Sequence, residues 1–121
     1  MTSGFHLLGA LEFLTEHITV RELIRSRVYQ EVRDHNLKAH QQVFQGLVQP
    51  SDAERELNGY RLHKPREIDW KQQFEVALRA FERNGFIVLI DNRQAASLDE
   101  EITLKPETSV AFLKLVPLVG G

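Results

Sequence analysis

Apolar residues recur at helical spacing in two stretches of the chain, and the first predicts a helix from Thr19 to about His35. Thr19 and Glu22 form a T-x-x-E capping box, in which each side chain accepts a hydrogen bond from the other residue's backbone amide. The apolar positions that follow lie on one face of a helix. They are Val20, Leu23, Ile24, Val28 and Val32.

The second stretch predicts a helix that begins at Asp69 and ends at Asn84-Gly85. Asp69 and Gln72 have the spacing of a capping box, and Gly85 suits the left-handed position that follows a helix. Five apolar residues at helical spacing predict its buried face. They are Trp70, Phe74, Ala77, Leu78 and Phe81.

Shorter apolar runs predict strands. Residues 86–90 are continuously apolar, which is typical of a central strand buried on both faces, and a tight turn leads from them to 93–94. A last strand is predicted over 110–116, and Pro117 marks the point where regular pairing ends. Residues 4–18 are interpreted as one or two strands, although so short a segment is also compatible with a helix.

Residues 37–68 lack one periodicity and contain the turn signals Gln-Pro, Asn-Gly and Lys-Pro. The segment also has enough apolar residues to dock on a core, so we predict an ordered insertion that packs partly. Ser51 or Asp52 is expected to cap a short helical turn through Leu57. A basic cluster is interpreted as a solvated loop, with a partner contact as the alternative. It consists of Arg61, His63, Lys64 and Arg66.

Composition narrows the classes of function. The chain has 121 residues, of which 42% are hydrophobic and 26% charged, as in one ordinary soluble domain. A net charge of -2 provides no basic face for nucleic acid, and no apolar run reaches the ~20 residues of a membrane span. We therefore expect neither partner. Cysteine is absent and no signal peptide is visible, which favours a cytoplasmic location.

Motifs for side-chain catalysis are missing. The sequence has no Gly-rich phosphate loop, no H-E-x-x-H and no G-x-S-x-G. Its five histidines are scattered, whereas a zinc site needs three or four converging ligands. We therefore expect a protein that is not an enzyme and that binds no metal or cofactor.

The C-terminal stretch carries the strongest candidate for chemistry. After the last predicted strand come Pro117, Leu118, Val119, Gly120 and Gly121. Glycine has no Cβ, so the two glycines would let the backbone enter a narrow enzyme site and leave the carbonyl of Gly121 open to attack. Five extended residues reach roughly 16 Å, enough to leave the domain surface and enter a partner's channel.

These elements resemble the ubiquitin-like β-grasp superfamily, in particular the bacterial sulfur carriers of molybdopterin synthase and of thiamine synthesis. The likeness covers roughly residues 18–36 and 70–121. The insertion at 37–68 is longer than these carriers usually have, and the opening hairpin is short or unclear. The resemblance implies an α+β fold in which a mixed sheet wraps one main helix, with a second helix and the insertion added. It also implies a domain over 1–116 and a flexible diglycine tail over 117–121.

The resemblance further implies that a ubiquitin-activating-type enzyme uses ATP to adenylate the Gly121 carboxylate, with Gly120 beside it. Residues near this end would dock on that enzyme. They are Phe112, Lys114, Val116, Pro117, Leu118 and Val119. Alternation along the last strand would then turn Ala111, Leu113 and Leu115 towards the helices, although the reverse assignment is equally compatible with the pattern.

Three functions follow from this resemblance. The first is a protein modifier whose Gly121 is joined to lysines, with a conjugating enzyme and a target protein as partners. The apolar end resembles the sulfur carriers, so the alternative is a carrier with a C-terminal thiocarboxylate and a sulfur-accepting synthase as partner. A second alternative is a non-covalent interaction module.

Overall fold

The computed structural model describes residues 16–38 and 40–115 of the chain. Within these residues two helices and eight strands form an α+β fold, as predicted. The helices are α1 (Val20–Asn36) and α2 (Trp70–Glu82). The strands are β1 (Glu16–Thr19), β2 (Val43–Phe44), β3 (Ala53–Glu56), β4 (Gly59–Leu62), β5 (Phe86–Ile90), β6 (Arg93–Gln94), β7 (Glu101–Leu104) and β8 (Val110–Lys114).

Helix α1 begins at the predicted capping box. Glu22 N donates to Thr19 Oγ1 at 3.2 Å, and Thr19 N donates to Glu22 Oε1 at 2.9 Å. The predicted apolar face is confirmed, because each of its five residues is at most 2% exposed. Burial of this face, rather than helix propensity alone, holds the helix in place.

Helix α2 begins at its predicted N-cap, Asp69, but it differs from its prediction at its C-terminal end and in its buried face. Asp69 caps it by accepting from Lys71 N at 3.0 Å, and Asn84, not Gly85, takes the left-handed position with φ 63°. Gln73 is buried, because its Nε2 donates to Val48 O at 3.2 Å and the insertion covers it. The face therefore centres on Gln73, Ala77 and Phe81. Three of the predicted residues are only half-buried: Trp70, Phe74 and Leu78.

The strands form three antiparallel sheets, with the orders β1-β7, β2-β4-β3 and β6-β5-β8. Strand β5 is central, as predicted, but it alternates between buried and half-buried residues, so only one of its faces lies in the core. Strand β8 ends at Lys114, and the predicted last residue, Val116, lies outside the described residues.

The insertion is a small sheet that belongs to the core. Phe44 and Leu62 are 1% and 0% exposed, so packing is closer than predicted. The helical turn predicted at Ser51 or Asp52 is wrong, because this stretch enters β3. Glu56 pairs with Gly59 across a two-residue turn of Leu57 and Asn58, so the turn predicted at Asn58-Gly59 lies one residue earlier and Gly59 begins β4.

The finer topology stays a prediction. A mixed sheet needs a parallel pair, and the strands within 16–38 and 40–115 pair only antiparallel. Of the region 4–18, the structure describes the end, which is strand β1, and the rest lies outside the described residues. Neither α1 nor α2 has the length and apolar composition to cross a membrane.

Candidate functional site

The predicted reactive end lies just beyond the part of the chain that the structure describes. Gly120 and Gly121, together with Val116, Pro117, Leu118 and Val119, are outside the described residues. Phe112 and Lys114 are within them, on β8. The candidate site within the described residues therefore consists of strand β8, which precedes the C-terminal residues, and of the two faces of this strand.

Strand β8 is fixed at both ends by backbone hydrogen bonds. At its start, Asp91 N donates to Ser109 O at 2.9 Å and Ser109 N donates to Asp91 Oδ1 at 2.9 Å. At its end, Leu115 N donates to Gly85 O at 3.0 Å, directly after α2. The point from which Val116 continues is thus anchored to the domain.

The pairing register sorts the side chains of β5 and β8 between two faces. Opposite residues of an antiparallel pair share a face. Phe86 pairs with Lys114, Val88 with Phe112 and Ile90 with Val110, and Phe86, Val88, Ile90 and Val110 are buried. These pairs form the inner face of the sheet.

The predicted facing of β8 is therefore wrong. Phe112 packs against Phe86 with 6.5 Å between ring centroids, and the Arg27 guanidinium lies 5.0 Å from the Phe112 ring. Lys114 Nζ lies 4.7 Å from the Tyr60 ring centroid. A lysine in an alternating strand suggests a solvent-facing position, but its long stem can run along an apolar surface while its ammonium lies over an aromatic ring.

The opposite side of the sheet is an outer apolar face, although its residues on β8 are predicted from the sequence to face the helices. Ile87 pairs with Leu113, and Leu89 pairs with Ala111. Leu113 and Leu115 are 45% and 47% exposed, whereas the other members are half-buried. The outer apolar face consists of Ile87, Leu89, Ala111, Leu113 and Leu115. Only the register with β5 distinguishes it from the inner face, because both faces alternate equally well along β8.

The inner face of β8 meets a polar junction with α1 and the insertion. The Glu31 side chain is 11% exposed, and its Oε2 accepts from Arg27 Nε at 2.7 Å. The same carboxylate accepts from Leu47 N at 3.1 Å. Because Arg27 also lies over Phe112, one carboxylate connects the insertion to the strand that leads to Gly121.

Burial sets the protonation behaviour of this junction. Loss of hydration raises the pKa of the Glu31 carboxyl above its ordinary value, against the opposing effects of Arg27, the Leu47 amide and Lys114. Burial lowers the pKa of the Lys114 ammonium, and the nearby Glu31 carboxylate opposes that shift. Burial also raises the pKa of the Tyr60 hydroxyl. Only the Glu31 carboxylate is largely buried among the three, since Tyr60 is half-buried and Lys114 is exposed apart from its contact with the Tyr60 ring.

Other candidate chemistry is limited in the described residues. The outer apolar face carries no titratable side chain, so it can contact a partner but cannot itself transfer protons. Within the basic cluster, Arg61 pairs with Glu56, and Arg66 donates to the carbonyls of Ser51 and Glu67. Across 16–38 and 40–115, no three histidine or carboxylate side chains come together as a metal site.

Comparisons of the chain with protein-family models, with curated proteins and with solved structures give no match. The β-grasp assignment, the modifier and carrier functions and the activating partner accordingly stand as predictions from the sequence.

Proposed function

We propose that this protein is a ubiquitin-like modifier whose Gly121 carboxylate is activated and transferred by partner enzymes. The carboxylate attacks the α-phosphate of ATP, releasing pyrophosphate and forming an acyl adenylate. The amine of a target lysine then displaces AMP, directly or after transfer to an enzyme thiol, and forms an amide. The observation that carries the proposal is the anchored strand β8, which bears the outer apolar face and is followed in the sequence by residues 116–121 with their Gly-Gly end.

The outer apolar face provides a docking surface for the activating enzyme. Leu113 and Leu115 are exposed large apolar residues immediately before the C-terminal residues. They replace Phe112 and Lys114 as the proposed contacts on β8, because those two side chains are engaged by Phe86, Arg27 and Tyr60. An exposed apolar patch of this kind is typical of a protein interaction site.

The sheet edges support the β-grasp fold within the same proposal. Strands β1 and β8 each pair on one edge only among the described strands. One strand between them would join the sheets β1-β7 and β6-β5-β8, and parallel pairing with β8 would make the joined sheet mixed. The β-grasp assignment requires such a strand, and residues 4–18 are where the sequence predicts one.

An adenylation assay tests the proposal. The intact mass of the purified protein first establishes that Gly121 carries the free carboxyl group. The protein is then incubated with ATP and each ubiquitin-activating-type enzyme of its source organism, and ATP–pyrophosphate exchange is followed. We expect exchange that disappears when Gly121 is deleted. Absence of exchange with every such enzyme overturns the proposal.

The same reaction separates the modifier from the sulfur carrier. The apolar residues Leu118 and Val119 favour the carrier, since the C-terminal ends of sulfur carriers are similarly apolar. Exchange of one oxygen for sulfur at the C-terminus, seen as a mass gain on the intact protein, supports that alternative. Higher-mass adducts that require Gly121 support the modifier. Because both reactions consume ATP, the proposal also implies a cytoplasmic location.

A further inference from the structure

A groove between α1 and the start of α2 is lined by two exposed large apolar side chains and by a half-buried tryptophan. Its volume is about 330 Å³. Tyr29, Leu37 and Trp70 line it, with Tyr29 45% exposed and Leu37 73% exposed. Large exposed apolar residues that line one concave surface are typical of a binding site for a partner.

The aromatic walls of the groove support each other. The Tyr29 and Trp70 rings meet edge to face with 5.3 Å between their centroids. The Arg25 guanidinium lies 4.9 Å from the Trp70 ring on the other helix. Because both rings already have partners, an incoming side chain would meet an ordered surface and lose little further freedom on binding.

Two arginines of α1 beside the groove, Arg25 and Arg33, have no ion-pair partner among the described residues. Arg25, Tyr29 and Arg33 follow at four-residue intervals and so form one row along the helix. Within the described residues, four other arginines form ion pairs, but Arg25 and Arg33 form none. Among the described residues that line the groove, Glu67 is the only acidic one. This arrangement favours a ligand with negative charge beside α1 and little negative charge beside Glu67.

We propose that this groove binds a short acidic segment of a partner protein. One large apolar side chain of that segment lies against Tyr29 and Trp70, and its carboxylates pair with Arg25 and Arg33. The proposed partner is a protein segment because the groove combines an apolar centre with two separate cations, which suits alternating apolar and acidic residues. This proposal is independent of activation at Gly121.

A displayed library of random peptides tests the proposal with the full chain as bait. We expect enriched peptides in which a large apolar residue is flanked by Asp or Glu. The protein has a single tryptophan, so the fluorescence of Trp70 reports binding of each synthesised peptide directly. Arg33→Gln should weaken binding about fivefold, and added salt should weaken it further. Glu67→Gln should strengthen binding about twofold, because it removes the repelling carboxylate.

Matched variants make the test specific. Arg79→Gln removes the same charge from an exposed position of α2 that does not line the groove, and it should leave binding unchanged. Deletion of Gly121 should also leave binding unchanged, which separates this proposal from the proposed function. Circular dichroism establishes that each variant is folded.

Several outcomes overturn the proposal. One is a library that yields no binder, and another is a set of enriched peptides without acidic residues. Equal effects of Arg33→Gln and Arg79→Gln would mean that only net charge matters. Concentration-dependent dimerisation that Arg33→Gln abolishes would assign the groove to a second copy of this chain instead.

Discussion

Replacing Glu31 tests whether the junction between α1, the insertion and β8 stabilises the fold as its contacts suggest. In Glu31→Ala, the amide of Leu47 loses its acceptor in a residue that is 6% exposed. A buried donor without a partner costs about 1–3 kcal/mol. The lost pair with Arg27 adds about 0.2–1 kcal/mol, because that side chain is 34% exposed and water can replace the carboxylate. Removal of a buried charge offsets part of this cost.

We therefore expect Glu31→Ala to lower the free energy of unfolding by about 1–3 kcal/mol. Glu31→Gln keeps an oxygen for the Leu47 amide and removes only the charge, so its cost should be below about 1 kcal/mol. Urea unfolding followed by Trp70 fluorescence measures both values. Equal costs for the two variants would refute the assigned role of the Leu47 hydrogen bond.

The pH dependence gives an independent check on the same residue. Because burial raises the pKa of Glu31, the folded state binds its proton more tightly than the unfolded chain does. Its stabilising contribution is complete below the unfolded pKa and is lost as the pH rises through the folded pKa. The free energy of unfolding of Glu31→Gln should therefore rise relative to wild type across that window and stay level above it. Glu75→Gln, at an exposed position of α2, is the control. A difference between wild type and Glu31→Gln that does not change with pH would contradict the burial argument.

Three further variants test other parts of the structure. Phe44→Ala should lower the free energy of unfolding, measured with urea, by about 3–5 kcal/mol, because Phe44 is 1% exposed. A change near zero would mean that the insertion does not pack on the core. Glu100→Gln should show the opposite pH dependence to Glu31, since the Ala96 amide and Arg93 lower the pKa of Glu100. Its contribution is present above the unfolded pKa and lost as the pH falls through the folded pKa, so an unchanged acid limb of the stability profile would refute it. Leu113→Ser should change the free energy of unfolding by less than about 1 kcal/mol but slow ATP–pyrophosphate exchange with the activating enzyme. Unchanged exchange would mean that Leu113 is not part of the docking surface.

Local signals in the sequence predict the elements whose causes are local. The Thr19–Glu22 capping box and the apolar spacing after it define α1, and both depend on residues within one or two helical turns. The run at 86–90 likewise predicts β5. The prediction of the buried face of α2 is less accurate, because the burial of Gln73 depends on its hydrogen bond to Val48, which is 25 residues earlier in the chain. Nothing within α2 indicates that contact.

The facing of β8 shows the same limit at the candidate site. Apolar residues occupy both faces of this strand, so alternation divides them into two sets without saying which set is buried. The pairing of Val88 with Phe112 settles the choice, and it depends on the register between two distant strands. Lys114 suggests from the local sequence that its face of β8 points to solvent. Its ammonium instead lies over the ring of Tyr60, which belongs to the insertion.

The insertion and strand β8 are therefore physically connected. Tyr60 contacts Lys114, and the Leu47 amide holds Glu31, whose other oxygen binds the arginine that lies over Phe112. Packed contacts of this kind do not deform independently, since each side chain fills space that its neighbours define. A partner that moves the insertion must then also disturb the inner face of β8. The outer apolar face lies on the other side of the same strand, so the insertion packs against β8 without covering the surface that we propose for the activating enzyme.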